Sequence, residues 1–339
     1  MRKRLSIADL WKFIATIMIM IYHIYYLGNP FSGEDYLGRS CWIWVEFFFV
    51  VTGYFTYKHF ENSDSNDDIF KSSISYTIQK FKAFIPYTTV AITIAYILSA
   101  EYSLLRSNPS QFFAHFATYP FEVLLIGEAV QSKQVLGPIW FLSAMLLVFP
   151  LVTILCQIKN KYLVTIISGF SAVLYYGRAD FGSRIWPNDI VRAFCGIMLG
   201  VFICSISNLF LIGKRTNKGI MTAIEMACMS FATLVTLFSL EELKRLVVLA
   251  FAIGIGAMLS GKSATANFDS LLVSKLALLS MPMFIWQKVI ALLIVRLDSY
   301  VHLLPAVKIT LFFTGTIIVA TGSYFLVEGL KKRAKLKEN

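Results

Sequence analysis

The chain has 339 residues, 57% of them hydrophobic and 15% charged, with a mean hydropathy of +0.67. Soluble domains sit nearer half apolar and a quarter charged, so a soluble enzyme, a disordered chain and a nucleic-acid-binding module are excluded. The net charge of +11 suits a membrane protein, in which Lys and Arg collect in cytoplasmic loops.

A helix needs about 20 apolar residues to cross the hydrocarbon core. Ten stretches meet or approach this in chain order: 7–27, 42–58, 83–100, 137–157, 162–177, 188–207, 219–239, 244–260, 271–294 and 308–328. They predict an all-α polytopic membrane bundle of about ten transmembrane helices, formed by residues 1–330 and followed by a basic cytoplasmic tail, 331–339. The start, MRKRLSIADLWKF, lacks a small-residue cleavage site, so the first stretch reads as a retained span rather than a signal peptide. Residues 111–127 carry His115, Pro120 and Glu122 and read as an interfacial or re-entrant helix. The one strongly polar linker is ENSDSNDD, 61–68.

Basic residues orient the chain. Nineteen of the 31 Lys and Arg residues fall in segments that are cytoplasmic if the N-terminus is inside; nine fall in the opposite loops, and Lys12, Arg192 and Lys288 lie within spans. Both termini are therefore expected in the cytoplasm. The five cysteines (Cys41, Cys156, Cys195, Cys204 and Cys228) show no metal spacing and read as small buried apolar residues.

Ionisable residues inside spans are costly and mark functional sites by default. In the first span Asp9, Lys12, Thr16 and His23 fall in one narrow helical stripe. Depth reckoned along each span puts His23, Glu46, Arg192 and Gln287 in one slab of the bilayer, with Trp140 of GPIWFL at its edge. A second set, Lys12, Lys58, Lys80 and Lys82, lies on the inner side. The rise from Lys12 to His23 is about 15 Å, comparable to an extended pantetheine arm. Lys12, Lys80 and Lys82 are thus candidates to hold the phosphates of a nucleotide-bearing donor. Each has a plain alternative: His23 as a structural histidine, Glu46 as a packing partner of Arg192, the lysines as ordinary positive-inside residues, Trp140 as an interface anchor. Arg178 and Arg184, in an outer loop, are open to contact with an acceptor.

These residues resemble the integral-membrane acyltransferase family 3. The first span is similar to its opening helix, with an acid, a base and a histidine at Asp9, Lys12 and His23; the base is more often Arg. EFFFVVTGYF, 46–55, resembles its "FF-x-x-SGF" segment, with Thr52 where Ser is common. QKFKAFIPY, GPIWFLSAMLL, RAFCGIMLGVFIC and SMPMFIWQKVI resemble further family patches in order, and a histidine often stands where this chain has Gln287.

The resemblance implies a plasma- or inner-membrane enzyme with no permanently bound cofactor. It would take an acyl group, usually acetyl, from cytoplasmic acyl-CoA (acetyl-CoA) and pass it to a hydroxyl of a cell-surface or lipid-linked carbohydrate, alone or through an envelope-assembly partner. His23 is the candidate general base, since a neutral imidazole titrates near pH 7. Glu46 is the candidate orienter of its ring, and Trp140, Arg192 and Gln287 are candidate substrate-binding groups. The alternatives are a transporter or flippase of a lipid-linked sugar, against which stands the lack of an inverted repeat, and a non-catalytic family member.

Overall fold

The computed structural model describes residues 6–28, 31, 36–61, 68–101, 103–130, 134–178, 181–183, 186–211 and 216–338. Arg2, Lys3, Arg4, the 62–67 part of the polar linker, Lys133, Arg184, Lys214 and Arg215 lie outside the described residues, as do the side chains from 334 onward. Thirteen α-helices and no strand occur among the described residues. They are α1 Ser6–Tyr22, α2 Trp44–Phe60, α3 Ile69–Ser99, α4 Leu104–Ser107, α5 Pro109–Ala117, α6 Tyr119–Val123, α7 Trp140–Cys156, α8 Lys161–Tyr176, α9 Asn188–Leu211, α10 Lys218–Leu237, α11 Lys244–Leu259, α12 Leu271–Val301 and α13 Pro305–Glu338.

All ten apolar stretches are helical, as α1–α3 and α7–α13. Seven helices, counted with their adjoining 3-10 turns, are long and apolar enough to cross a membrane. The other three, α2, α8 and α11, have 17, 16 and 16 residues. The 3-10 turns Arg39–Ile43 and Glu241–Leu243 lead into α2 and α11, and polar and charged residues interrupt these two segments. Helix α8 by itself reaches about 24 Å, short of a hydrocarbon core of about 30 Å. Residues 111–127 form no helix long enough to span: α5 ends at Ala117, and Pro120 lies in the first turn of the short α6, which ends at Val123.

Two helices overrun their expected ends. The Asp68 side chain caps α3 by accepting from the Phe70 and Lys71 amides at 2.9 and 3.3 Å. Helix α3 therefore starts at 69, and Lys80, Lys82 and Pro86 lie within it rather than before it. Helix α13 continues past 330 to Glu338. The cysteines are all free, four buried and Cys228 half-buried.

Five helices close a ring in which each touches the next: α1 on α2, α2 on α7, α7 on α3, α3 on α12 and α12 on α1. Helix α9 packs across α2 from outside, α8 lies on α9, α10 on α11, and α13 on α12. The α2–α9 crossing is close because it is glycine on both sides. A Cβ on Gly53 would fall 1.8 Å from the Ile197 carbonyl oxygen, and one on Gly200 would fall 2.0 Å from that of Val50. Small residues that let backbones touch are the usual means of helix association in membranes. Here they bring the N-terminal turns of α2 and α9, with Glu46 and Arg192, face to face.

Candidate active site

Two buried polar clusters stand side by side at one end of the ring. The first is built on His23, which opens a 3-10 turn, His23–Leu27, that continues α1. Its side chain is 7% exposed, and its Nδ1 lies 3.0 Å from Gln287 Oε1 of α12. Gln287 Nε2 donates to the Phe284 carbonyl at 2.9 Å. That second bond fixes the amide, because the flipped form would set two acceptors against each other. Gln287 thus presents an acceptor, Nδ1 of the neutral ring carries the hydrogen, and Nε2 is the basic nitrogen. Tyr26 stacks on the imidazole at 4.8 Å and 7°, and Lys288 Nζ lies 3.5 Å from the Tyr26 ring centroid.

The second cluster is centred on Glu46, which is fully buried. Its Oε1 accepts from Arg192 Nε at 2.5 Å and its Oε2 from the Tyr176 hydroxyl at 2.5 Å. Arg192 is 2% exposed. Its guanidinium lies 4.8 Å from the Trp42 ring and 5.0 Å from the Trp140 ring, and its Nη2 has no hydrogen-bond partner among the described residues. Glu46, expected beside His23, is bonded to other groups. Both carboxylate oxygens are taken by groups on α8 and α9, and the group on the imidazole is Gln287. A carboxylate inside the bundle pairs with the nearest full charge, and the glycine crossing delivers Arg192 to it.

The clusters meet on one cavity of about 400 Å³. His23, Trp140 and Arg192 line it together with Tyr22, Tyr25, Tyr26, Trp42, Phe181, Lys244 and Phe284. Phe284 meets Phe141 of α7 at 5.7 Å, and Phe141 meets Phe48 of α2 at 6.2 Å. This aromatic layer spans three of the five ring helices. Gln287 and Glu46 stand behind the lining and hold it.

A buried carboxylate outside the spans supports Trp140. Glu122, in α6, accepts from the Val135 and Leu136 amides at 2.9 and 2.7 Å and from the Tyr96 hydroxyl at 2.9 Å. Those amides immediately precede the turn Gly137–Ile139 that leads into Trp140. Burial pushes the Glu122 carboxyl above its ordinary value, and the two amide bonds partly offset it.

The inner lysines are not gathered on one cavity. Lys12 lies 3.5 Å from Asp9 and over the Phe55 ring at 5.4 Å. Lys80 lies over Tyr76, one turn back on its own helix, at 5.0 Å, and Lys82 is exposed. A second cavity, about 740 Å³, opens at the C-terminal end of α2, where Lys71, Lys159 and Lys161 line it and Lys12, Lys80 and Lys82 do not.

Reading the sequence missed Tyr176, Trp42, Tyr26 and Lys244. The aromatic residues resemble ordinary interface residues at span ends. Lys244 resembles one more loop lysine. Only the packing reveals that Trp42, Tyr26 and Lys244 line one cavity and that Tyr176 holds Glu46 behind it.

No curated protein and no solved structure matches the chain. The model of a family described as an acyltransferase domain matches residues 6–327. With that match covering nearly the whole chain, this multi-helix membrane protein belongs to acyltransferase family 3.

Proposed function

We propose that the protein moves an acyl group, most simply acetyl, from cytoplasmic acyl-CoA to a hydroxyl of a cell-surface or lipid-linked glycan, across a plasma or inner membrane. His23 is the general base. In that step His23 Nε2 takes the proton of the acceptor hydroxyl as its oxygen bonds to the thioester carbonyl carbon. Collapse of the tetrahedral intermediate breaks the C–S bond, and the proton passes to the thiolate, releasing CoA. Arg192 donates to the developing oxyanion, a role worth more in a dry site than in water. The observation that carries the reading is the Gln287 amide, which holds His23 with Nε2 basic in a cavity that Arg192 also lines.

The same reading has all ten apolar helices crossing the bilayer with both termini in the cytoplasm, Lys12 on the donor side and the His23 cavity toward the acceptor. Lys12, Lys80 and Lys82 then face the phosphates of acyl-CoA. Purified protein in lipid nanodiscs, given radiolabelled acetyl-CoA and the host's surface glycan, tests the chemistry. Label transfer that depends on His23 supports it; acyl-CoA that is neither bound nor consumed refutes it. Outside-only thiol labelling of Asp64→Cys and Ser183→Cys tests the topology, with reaction expected at 183 and not at 64.

A further inference from the structure

The charge around the His23 cavity is one-sided. Among the described residues its lining holds two permanent cations, Arg192 and Lys244, and no carboxylate. The acids that act on Arg192, Glu46 and Asp189, lie outside the lining. Glu46 is occupied by Arg192 Nε and Tyr176. The guanidinium meanwhile keeps Nη2 without a partner among the described residues, in a side chain only 2% exposed.

Buried donors of this kind are nearly always satisfied, and a charged one left open costs more than a neutral one. Lys244, at the start of α11, is half-buried, and its Nζ lies 5.8 Å from the Phe181 ring. It makes no ion pair with any described residue. Glu241, three residues earlier, accepts from Ser40 at 2.7 Å instead. Aromatic walls with two open cationic donors suit a pyranose that carries a negative group: the rings cover its apolar faces, and the donors take the charge.

We infer that the His23 cavity binds an anionic sugar, a pyranose bearing a carboxylate or a phosphate, with Lys244 as the residue that selects for the charge. Only the identification of this sugar as the acyl acceptor rests on the acyltransferase reading. Binding is independent of it.

The test uses the full chain in phosphatidylcholine nanodiscs, with tryptophan emission as the readout because Trp42 and Trp140 line the cavity. The probes are methyl glucuronide, glucose 6-phosphate and the neutral methyl glucoside. At least one anionic probe is expected to bind about tenfold more tightly than the neutral one, and the tighter of the two identifies the charged group. Lys244→Met should reduce that preference to within about twofold, while Lys244→Arg, which keeps the charge, should retain it. Equal affinity for neutral and anionic sugars, no anionic binding, or a preference that survives Lys244→Met would overturn the inference.

Acetyl-CoA turnover in the same preparation separates the two proposals. Turnover with no charge preference defeats this one alone. Charge-selective binding with no acyl transfer defeats only the acyltransferase reading.

Discussion

The two ends of the helix ring solve the same problem in different ways. At the His23 end, polar groups lie inside the bundle, and each is held by a group from another helix: His23 by Gln287, Glu46 by Arg192 and Tyr176. At the Lys12 end, the lysines stay near the surface and lean on aromatic faces, Lys12 over Phe55 and Lys80 over Tyr76. A polar group deep in the bundle must be partnered or the fold loses several kcal/mol. A snorkelling lysine needs only its stem covered. Position alone therefore says much about the first set and little about the second, and perturbing each end should give different signatures.

The largest effect belongs to His23. His23→Ala should lower acyl transfer by about 10²–10⁴, the usual worth of a general base, with membrane-inserted protein at normal levels. Gln287→Leu should fall between the parent and His23→Ala, since it removes the acceptor that sets the tautomer but leaves the ring. Radiolabel transfer and detergent-solubilised yield, measured together, check both. Near-normal turnover in His23→Ala would make this end of the ring as passive as the other.

The Glu46–Arg192 pair should instead show itself in folding. Removing one partner of a buried pair costs about 3–5 kcal/mol, whereas replacing both with apolar groups of similar volume is often neutral. Glu46→Leu and Arg192→Met should each lower the unfolding temperature and the monodisperse yield, and the double variant should recover most of both. Activity should stay low in the double variant, since the donor at Nη2 is gone. Coupling is thus expected between Glu46 and Arg192. If Glu46→Gln instead proved silent only in a His23→Ala background, the two clusters would be acting as one catalytic unit.

A smaller effect is expected at Glu122. Glu122→Gln replaces one of two acceptor oxygens with a donor that faces a backbone amide, so about 1–3 kcal/mol should be lost and Trp140 should be less firmly set. Its pH dependence has a definite sign. The folded carboxyl sits above its ordinary value because of burial, so the stability linked to its proton is full below the ordinary carboxylate range and is lost as pH rises through the raised value. The stability difference between the parent and Glu122→Gln should therefore shrink as pH rises across that window. Thermal unfolding at several pH values checks it, and a difference that grows with pH would contradict the burial argument.

How much of this was legible beforehand follows from what each feature depends on. The ten helical stretches were visible as apolar runs, and seven of them form helices long and apolar enough to match a bilayer's thickness. Depth could be counted along each span, so His23 and Gln287, and Glu46 and Arg192, were placed at one level. Azimuth could not be counted, and azimuth decides who touches whom. Glu46 faces α9 rather than α1 because Gly53 and Gly200 set that crossing, a fact carried by backbone approach rather than by any polar signal. The early start of α3 depended on one cap, Asp68, at the end of a polar linker. Trp42, Tyr176 and Lys244 come from three separate elements and converge only in the folded chain.

The weakest perturbation sharpens the comparison most. Lys82 is exposed, and Lys80 rests on Tyr76 at 5.0 Å, a cation–π contact worth about 0.5–1 kcal/mol at such a site. Lys80→Met/Lys82→Met should therefore change unfolding by no more than about 1 kcal/mol. If these lysines face the phosphates of acyl-CoA, they contribute equally to substrate and transition state. The donor KM should rise by a few-fold with kcat unchanged, and added salt should narrow the gap between parent and variant because exposed charges are screened. Lys12→Met should show the same KM signature with a somewhat larger stability change, since it also releases Asp9, which is buried beside it. A fall in kcat without a rise in KM would show that the Lys12 end reaches the chemistry directly. An unchanged KM at every salt concentration would leave these lysines as topology signals, and the donor's phosphates would then be sought at the cavity lined by Lys71, Lys159 and Lys161.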